Sequence, residues 1–256
     1  MAHCALTKNM TMHRAHVPSE SLGTAKVGSD LTLPTNVYHR LARVLRISAD
    51  EEVELFDGSG LVVRGNLVSH KAELFFVASV ERNIRKGPTL TLVQALVKQD
   101  KLEQIIQPIT ELGVHRVVLF LAHRCLVKVT ERTPAQIDRL KRIATDAARQ
   151  CERVDVPVID GPITFAELRL LLGGSEKLLL LGDPRAEVNL VDVMIKCDEE
   201  KIHDVYLIIG PEGGLADEET STLHHDGALL VRYAPHVLRT QTAGIVGMSI
   251  VQSFFR

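Results

Sequence analysis

The spacing of apolar residues divides the chain into two differently patterned parts. Beyond residue 88, short apolar runs alternate with longer segments whose apolar residues recur at helical intervals. This alternation is typical of an α/β fold, in which helices cross between the strands of a mainly parallel sheet. The strand-like runs cover residues 90–95, 116–120, 177–181 and 205–209, and the helix-like segments cover residues 100–112, 134–151 and 217–225.

The amino-terminal part is patterned as a small β-rich domain. Residues 52–56 and 73–77 are short strand-like runs, and the turn-forming segment Asp57-Gly58-Ser59-Gly60 follows the first of them. A charged connector, residues 81–87, ends immediately before a proline and marks the domain boundary. The two predicted domains are residues 13–86 and residues 88–256.

One helix-like segment, residues 38–46, interrupts the amino-terminal strands. It places Arg40, Arg43 and Arg46 three residues apart, so a helix here would carry one basic edge. Taken alone, three arginines indicate an ordinary solvent-exposed helix face.

Two short segments predict a ligand-binding site. Gly210-Pro211-Glu212-Gly213-Gly214 follows the apolar run 205–209, and the segment 238–243 (LRTQTA) lies shortly after the apolar run 228–231. We expect both segments to leave the carboxyl ends of neighbouring strands, where open α/β sheets bind ligands. Three glycines and a proline in five residues favour contact with a ligand through the main chain. The spacing matches neither a dinucleotide fingerprint nor a phosphate-binding loop that ends in Lys-Ser/Thr.

These two segments resemble the signature loops of the SPOUT class of S-adenosylmethionine-dependent RNA methyltransferases. The likeness is specifically to the RsmE family, which methylates N3 of a uridine in small-subunit (16S) ribosomal RNA. It covers roughly residues 13 to 256 and includes further blocks in the family's order. These blocks are residues 43–46 (RVLR), 53–58 (VELFDG), 94–103 (QALVKQDKLE), 110–114 (TELGV), 124–128 (RCLVK) and 148–153 (ARQCER).

The resemblance implies a fold and a cofactor. The expected fold is a PUA-like RNA-binding β-barrel domain followed by a SPOUT domain with a trefoil knot, assembled as a homodimer with its active site near the subunit interface. The expected cofactor is S-adenosylmethionine. The residues that match the family's cofactor loops are Leu181, Gly182, Asp183, Gly210, Pro211, Glu212, Gly213, Gly214, Leu238, Thr240, Thr242 and Ala243.

The resemblance also suggests catalytic and RNA-binding residues. N3 of uridine carries a proton, and its loss leaves negative charge that a nearby cation would stabilise. Arg14, which matches an arginine near the family's amino terminus, is the first candidate for that cation, although it is equally well interpreted as a flexible terminal residue. Arg239 is the second candidate or a structural anchor of its loop, and Glu212 is a candidate proton acceptor or a loop carboxylate bonded to backbone amides. Arg14, Arg40, Arg43 and Arg46 are the predicted contacts to the RNA backbone.

One departure from the family pattern leaves an alternative open. Gln241 stands where the family commonly has glutamate, which removes a charge while keeping a hydrogen-bonding side chain. A catalytically silent RNA-binding or ribosome assembly factor is therefore one alternative, and a SPOUT methyltransferase with another RNA target is a second. All three glycines of the first loop are retained, which favours an active enzyme.

Composition limits the other classes of function. The net charge of −2 and the absence of tryptophan disfavour a protein whose whole surface grips nucleic acid or stacks bases. Cys4, Cys125, Cys151 and Cys197 lack the paired spacing of a zinc site, and no histidine cluster accompanies them, so we predict no metal. The sequence has no apolar stretch of membrane-spanning length and no signal-peptide pattern, which predicts a cytoplasmic protein without a membrane partner.

Overall fold

The computed structural model describes residues 12–68, 73–83, 87–174, 176–198 and 202–255. The chain forms two compact units, Met1–Ile84 and Arg85–Arg256. Cys4, most of the segment before the first strand, and residues 84–86 of the expected connector lie outside the described residues.

The amino-terminal unit is built on one five-stranded sheet. Its first and third strands along the chain pair in parallel, and the other pairs are antiparallel. The strands are β1 (His13–His16), β2 (Asp30–Thr32), β3 (Glu52–Phe56), β4 (Leu61–Leu67) and β5 (Leu74–Arg82), in the spatial order β1-β3-β4-β5-β2. Two short helices, α1 (Ser19–Leu22) and α2 (Thr35–His39), complete the described elements.

The regular helix expected over residues 38–46 is wrong beyond His39, the second residue of that range. Helix α2 ends at His39, and Arg40–Val44 forms a π-helical turn in which the Leu45 amide donates to the Arg40 carbonyl over 2.9 Å. Leu41 and Ile47 are both fully buried. Ile47 lies beyond the turn, after Arg46, which has a φ of 55°, and both buried side chains pack in the same apolar cluster.

The carboxy-terminal unit is an α/β fold around a six-stranded sheet in which every strand pair is parallel. Each strand and helix predicted for this unit is confirmed, with ends displaced by at most one residue. The strands are β6 (Thr89–Ala95), β7 (Arg116–Leu121), β8 (Val158–Thr164), β9 (Lys177–Gly182), β10 (Asp204–Ile209) and β11 (Leu229–Val231), in the spatial order β11-β9-β10-β6-β7-β8. The helices are α3 (Gln99–Glu111), α4 (Thr133–Gln150), α5 (Phe165–Leu172), α6 (Leu190–Lys196), α7 (Asp217–His225) and α8 (Thr240–Phe254).

Helices cover both faces of this sheet. Leu92 and Leu207, from adjacent strands, pack in one apolar cluster with residues of α3, α4, α6 and α8. Val93 and Ile208 follow them in sequence and pack in a second cluster with residues of α5 and α7. Burial on both faces explains why the strands are nearly continuous apolar runs.

The sheet order corrects one expectation about the two signature loops. We expected them to follow neighbouring strands, but β9 lies between β10, which precedes the first loop, and β11, which lies shortly before the second. Because all three strands are parallel, their carboxyl ends still meet at one edge of the sheet. The segment Leu181-Gly182-Asp183, at the end of β9, therefore lies between the two loops.

Candidate active site

A cavity of about 640 Å³ lies in the carboxy-terminal unit and is lined by the loops that follow β9, β10 and β11. Its volume is typical of small-molecule sites, which range from roughly 300 to 1,000 Å³. Lys101 of α3 and Arg124, which follows β7, complete the lining. Every cofactor residue predicted from the sequence lines the cavity except Thr242, which is exposed and is not among the described residues that form the wall.

Two glycines permit the close backbone packing of this site. A Cβ atom on Gly182 would lie 2.8 Å from the Tyr233 hydroxyl and 3.0 Å from the Ile209 side chain, so the end of β9 tolerates no larger residue without movement. Gly214 has a φ of +68°, a left-handed conformation that glycine adopts without strain. Both positions leave main-chain groups of the loops accessible to a ligand.

The Thr240 hydroxyl joins the two signature loops. It donates to the Gly210 carbonyl over 2.8 Å and accepts a 2.9 Å hydrogen bond from Nε2 of Gln94 at the end of β6. Thr240 is 6% exposed and Gln94 is fully buried. The first turn of α8 is therefore fixed to the first loop through groups that water does not reach.

A second bond fixes α8 to the segment after β11. The Tyr233 hydroxyl donates to the Ala243 carbonyl over 3.1 Å. Burial raises the pKa of this phenol well above its ordinary value, so it stays protonated and remains a donor at neutral pH.

Arg124 and Glu219 hold the first signature loop from its outer side. Nη1 of Arg124 donates to the carbonyls of Gly213 and Leu215 over 3.2 and 3.1 Å. The Glu219 carboxylate is 8% exposed and accepts the amides of His123 and Ala216 over 2.8 and 2.9 Å. These bonds tie the segment after β7 to the loop after β10.

Two carboxylates at the cavity are held in their charged form by neighbouring cations. Burial of Glu212 opposes ionisation, but a 2.5 Å hydrogen bond from Nζ of Lys101 outweighs it, and the pKa of Glu212 falls below its ordinary value. Burial of Asp183 likewise opposes ionisation, and hydrogen bonds from the Arg185 side chain and amide lower its pKa. Both side chains therefore present negative charge to the cavity at neutral pH.

The chain is similar to proteins named as methyltransferases along most of its length. A model of the RNA methyltransferase domain family matches residues 85–252. Ribosomal RNA small subunit methyltransferase E of Synechocystis sp. is 31% identical over 229 residues, which are 89% of this chain and 74% of that protein. The chain belongs to the ribosomal RNA small subunit methyltransferase E family.

Further similar proteins and structures agree with the assignment. The methyltransferase E of Mycobacterium tuberculosis is 30% identical over 223 residues, which are 82% of this chain and 81% of that protein. A Legionella pneumophila methyltransferase solved with bound S-adenosylmethionine is 29% identical with a TM-score of 0.79, covering 94% of this chain and 97% of the other. The methyltransferase E of Neisseria gonorrhoeae, 24% identical with a TM-score of 0.80 and coverage of 94% and 97%, shares the fold.

The candidate catalytic residues of this family member lie in different surroundings. Arg239 is exposed, lines the cavity and immediately precedes α8. Glu212 lines the same cavity, paired with Lys101. Gln241 also lines it, and its Oε1 atom is buried without a hydrogen-bond partner among the described residues.

Arg14 lies in the amino-terminal unit and is not a flexible terminal residue. It belongs to β1 and is 8% exposed, with its Nε atom 2.6 Å from Oε1 of Glu54 and its guanidinium 4.8 Å from the centre of the Phe56 ring. Glu54 also pairs with Arg64, at 3.0 Å. The interpretation of Arg14 as a flexible terminal residue is therefore wrong, and its catalytic role stays a prediction.

Four residues that position the site carried no assigned role in the sequence. Gln94 and Arg124 lie in family blocks whose contacts the sequence does not reveal. Glu219 accepts the Ala216 amide at the start of α7, but alanine at the N-cap removes the Ser/Thr that would mark a capping box in the sequence. Tyr233 lies outside the blocks that resemble the family and gave no signal. Within the described ranges, no group of three or more His, Cys, Asp or Glu residues could hold a metal ion, and no helix is long and apolar enough to span a membrane.

Proposed function

We propose that this family member transfers a methyl group from S-adenosylmethionine to N3 of a uridine in small-subunit (16S) ribosomal RNA. The observation that carries the proposal is the cavity at the carboxyl ends of β9, β10 and β11, which gathers the residues expected to bind the cofactor. The Legionella relative, crystallised with this cofactor, and the relatives named for the small ribosomal subunit support it.

The residues at the cavity suit S-adenosylmethionine. Leu181 and Leu238 offer apolar contact for an adenine ring, and the first amides of α8 have no intrahelical acceptor and can donate to its polar atoms. The carboxylates of Asp183 and Glu212 suit the hydroxyl and ammonium groups of the ribose and methionine portions. When bound, the cofactor supplies an electrophilic methyl carbon on a sulfonium sulfur.

Rate acceleration at this site depends on position and charge. A rigid pocket holds the uridine nitrogen in line with the methyl carbon, which supplies most of the catalysis in such displacements. As N3 loses its proton to water, the negative charge spreads over N3 and the two flanking carbonyl oxygens. Arg239 and the amino terminus of α8 place positive charge at the cavity, and we assign the stabilisation of this anion to them.

Replacing Glu212 by glutamine should leave the catalytic rate constant within about tenfold of the wild-type value, because the pKa of Glu212 is lowered and it is a weak proton acceptor. The loss of the Lys101 ion pair should instead appear in the KM for S-adenosylmethionine. Single-turnover methyl transfer at saturating cofactor measures the rate constant, and the dependence of the steady-state rate on cofactor concentration measures the KM. A general base would lose about 10²- to 10⁴-fold in rate. Glu103→Gln, on α3 outside the cavity lining, is the matched control.

The finer features of the fold belong to the same proposal. We assign residues 13–86 to a PUA-like RNA-binding barrel and residues 88–256 to a SPOUT domain with a trefoil knot, working as a cytoplasmic homodimer. The five-stranded amino-terminal sheet and the parallel carboxy-terminal sheet are compatible with these assignments.

The decisive experiment is transfer of tritiated methyl groups to small ribosomal subunits isolated from cells that lack this protein, with the modified nucleoside mapped by mass spectrometry. We expect N3-methyluridine at one site. Absence of transfer with intact binding of S-adenosylmethionine would contradict this substrate and favour another RNA target. Absence of binding as well would favour a catalytically silent assembly factor, the alternative raised by Gln241.

A further inference from the structure

An exposed apolar tip projects from the amino-terminal unit at the π-helical turn. Val44 and Leu45, which we call the apolar tip, are 65% and 41% exposed. Leu41 and Ile47 on either side are fully buried and anchor the turn in the core. The tip is therefore held by its neighbours in sequence, although its own side chains face solvent.

The backbone around the apolar tip is unusual in two respects. Arg40–Val44 is π-helical, a conformation that is rare and is frequent at functional sites. Arg46 has a φ of 55°, a left-handed conformation that non-glycine residues adopt at a cost of about 1–3 kcal/mol. Two adjacent backbone irregularities that expose apolar side chains lower the stability of the fold. Their presence therefore suggests that Val44 and Leu45 have a functional role.

Positive charge flanks the apolar tip. Arg43 and Arg46 are exposed, and neither pairs with a carboxylate in the part of the chain that the structure describes. Between residues 31 and 49 the sequence contains three arginines and no aspartate or glutamate. A surface with two apolar side chains between two available guanidinium groups is complementary to a nucleobase flanked by phosphates.

We propose that Val44 and Leu45 contact the face of an unpaired nucleobase in RNA while Arg43 and Arg46 bind the phosphates on either side. Proteins that deform nucleic acids place leucine and similar side chains against bases as wedges, and unpaired RNA bases are open to such contact. The inference rests on the proposed function, which supplies a ribosomal RNA substrate. It goes beyond backbone binding because the apolar tip would sense whether a base is unpaired.

The salt dependence of binding separates the two kinds of contact. Replacing Arg43 or Arg46 by glutamine should reduce the slope of log affinity against log salt by about 0.7–0.9 for each phosphate that the variant no longer binds. The Val44→Ser/Leu45→Ser variant should leave that slope unchanged and weaken binding by about tenfold at every salt concentration, because it removes apolar contact and no charge. Val27→Ser, at a site 67% exposed in the same unit, is the matched control and should bind like wild type.

The test is filter binding of small ribosomal subunits to the full-length protein, run beside methyl transfer by wild type. If wild type methylates the subunits and the double variant binds them like Val27→Ser, the base contact is overturned and the proposed function stands. If wild type neither binds nor methylates the subunits, both the proposed function and the base contact are contradicted. A double variant with unchanged subunit affinity but altered sedimentation would overturn the inference in favour of contact between two copies of the chain. Far-UV circular dichroism confirms folding of the variants.

Discussion

Replacing Arg14 by methionine is expected to destabilise the amino-terminal unit by about 3 kcal/mol, the low end of the cost of breaking a buried ion pair. The Arg14 and Glu54 side chains are 6% and 10% exposed and lie 2.6 Å apart. Methionine keeps much of the apolar volume beside Phe56 but leaves the Glu54 carboxylate with less positive charge around it. Arg64 still pairs with Glu54, which keeps the effect below the upper end of the range.

Urea denaturation followed by far-UV circular dichroism measures this change, and hydrogen exchange of the β1 and β3 peptides localises it to the unit. Arg64→Met is the matched control. Its side chain is 33% exposed, so solvent screens its bonds to Glu54 and Glu81, and the expected loss is below about 1 kcal/mol. Equal losses in the two variants would contradict a buried role for Arg14. Adding Glu54→Leu to Arg14→Met should recover part of the stability, because it removes the buried carboxylate that has lost one of its two arginine partners.

This stability effect decides how the catalytic hypothesis for Arg14 must be tested. A variant that is partly unfolded loses activity whether or not the arginine reaches the uridine. The rate must therefore be expressed per folded protein, at a temperature where hydrogen exchange shows β1 intact. Under those conditions an arginine that stabilises the reacting anion lowers the catalytic rate constant, whereas a purely structural arginine does not.

The sequence predicted the four inner strands of the carboxy-terminal sheet, β6, β7, β9 and β10, because they are buried on both faces, whereas the edge strand β8 was not predicted. Residues 205–209 can occupy only the middle of a sheet covered by helices, and the glycine-rich segment that follows can only be a loop at its edge. The apolar pattern of this segment therefore agrees with its position in the folded sheet. The position of the cavity could be predicted for a related reason, because the loops that follow parallel strands all lie at the same edge of the sheet.

Pairing between distant segments could not be predicted in this way. The position of β9 between β10 and β11 depends on sheet order, which apolar spacing does not encode. The bond between Gln94 and Thr240 joins residues 146 positions apart. Arg14 and Glu54 form a buried pair although they lie 40 positions apart in the sequence. Charged residues are rarely buried unless they are paired, so the sequence alone does not predict that either of them is inside the unit. The π-helical turn could not be predicted either, because the apolar spacing of residues 40–44 is compatible with a regular helix.

Replacing Thr240 by valine is expected to raise the dissociation constant for S-adenosylmethionine by about 10- to 100-fold, because an unsatisfied buried polar group costs about 1–3 kcal/mol. Valine has nearly the same shape as threonine but neither donates to the Gly210 carbonyl nor accepts from Gln94. Gln94 keeps its 3.1 Å bond to the Ala95 carbonyl, so the Gly210 carbonyl suffers the larger loss. The first signature loop should then lose its fixed position relative to α8.

Isothermal titration calorimetry measures this affinity, and two further variants separate the hydroxyl from the side-chain shape. Thr240→Ser keeps a hydroxyl and should recover most of the wild-type affinity. Thr145→Val makes the same substitution on α4, where the hydroxyl only donates to the exposed Lys141 carbonyl, and should bind the cofactor normally. Wild-type affinity in Thr240→Val would contradict the role of this bond, and failure of Thr240→Ser to recover affinity would show that the hydroxyl is not sufficient without the methyl group, which serine lacks. Recovery of the affinity in Thr240→Ser would identify the buried hydroxyl of residue 240 as the group that holds the two signature loops together.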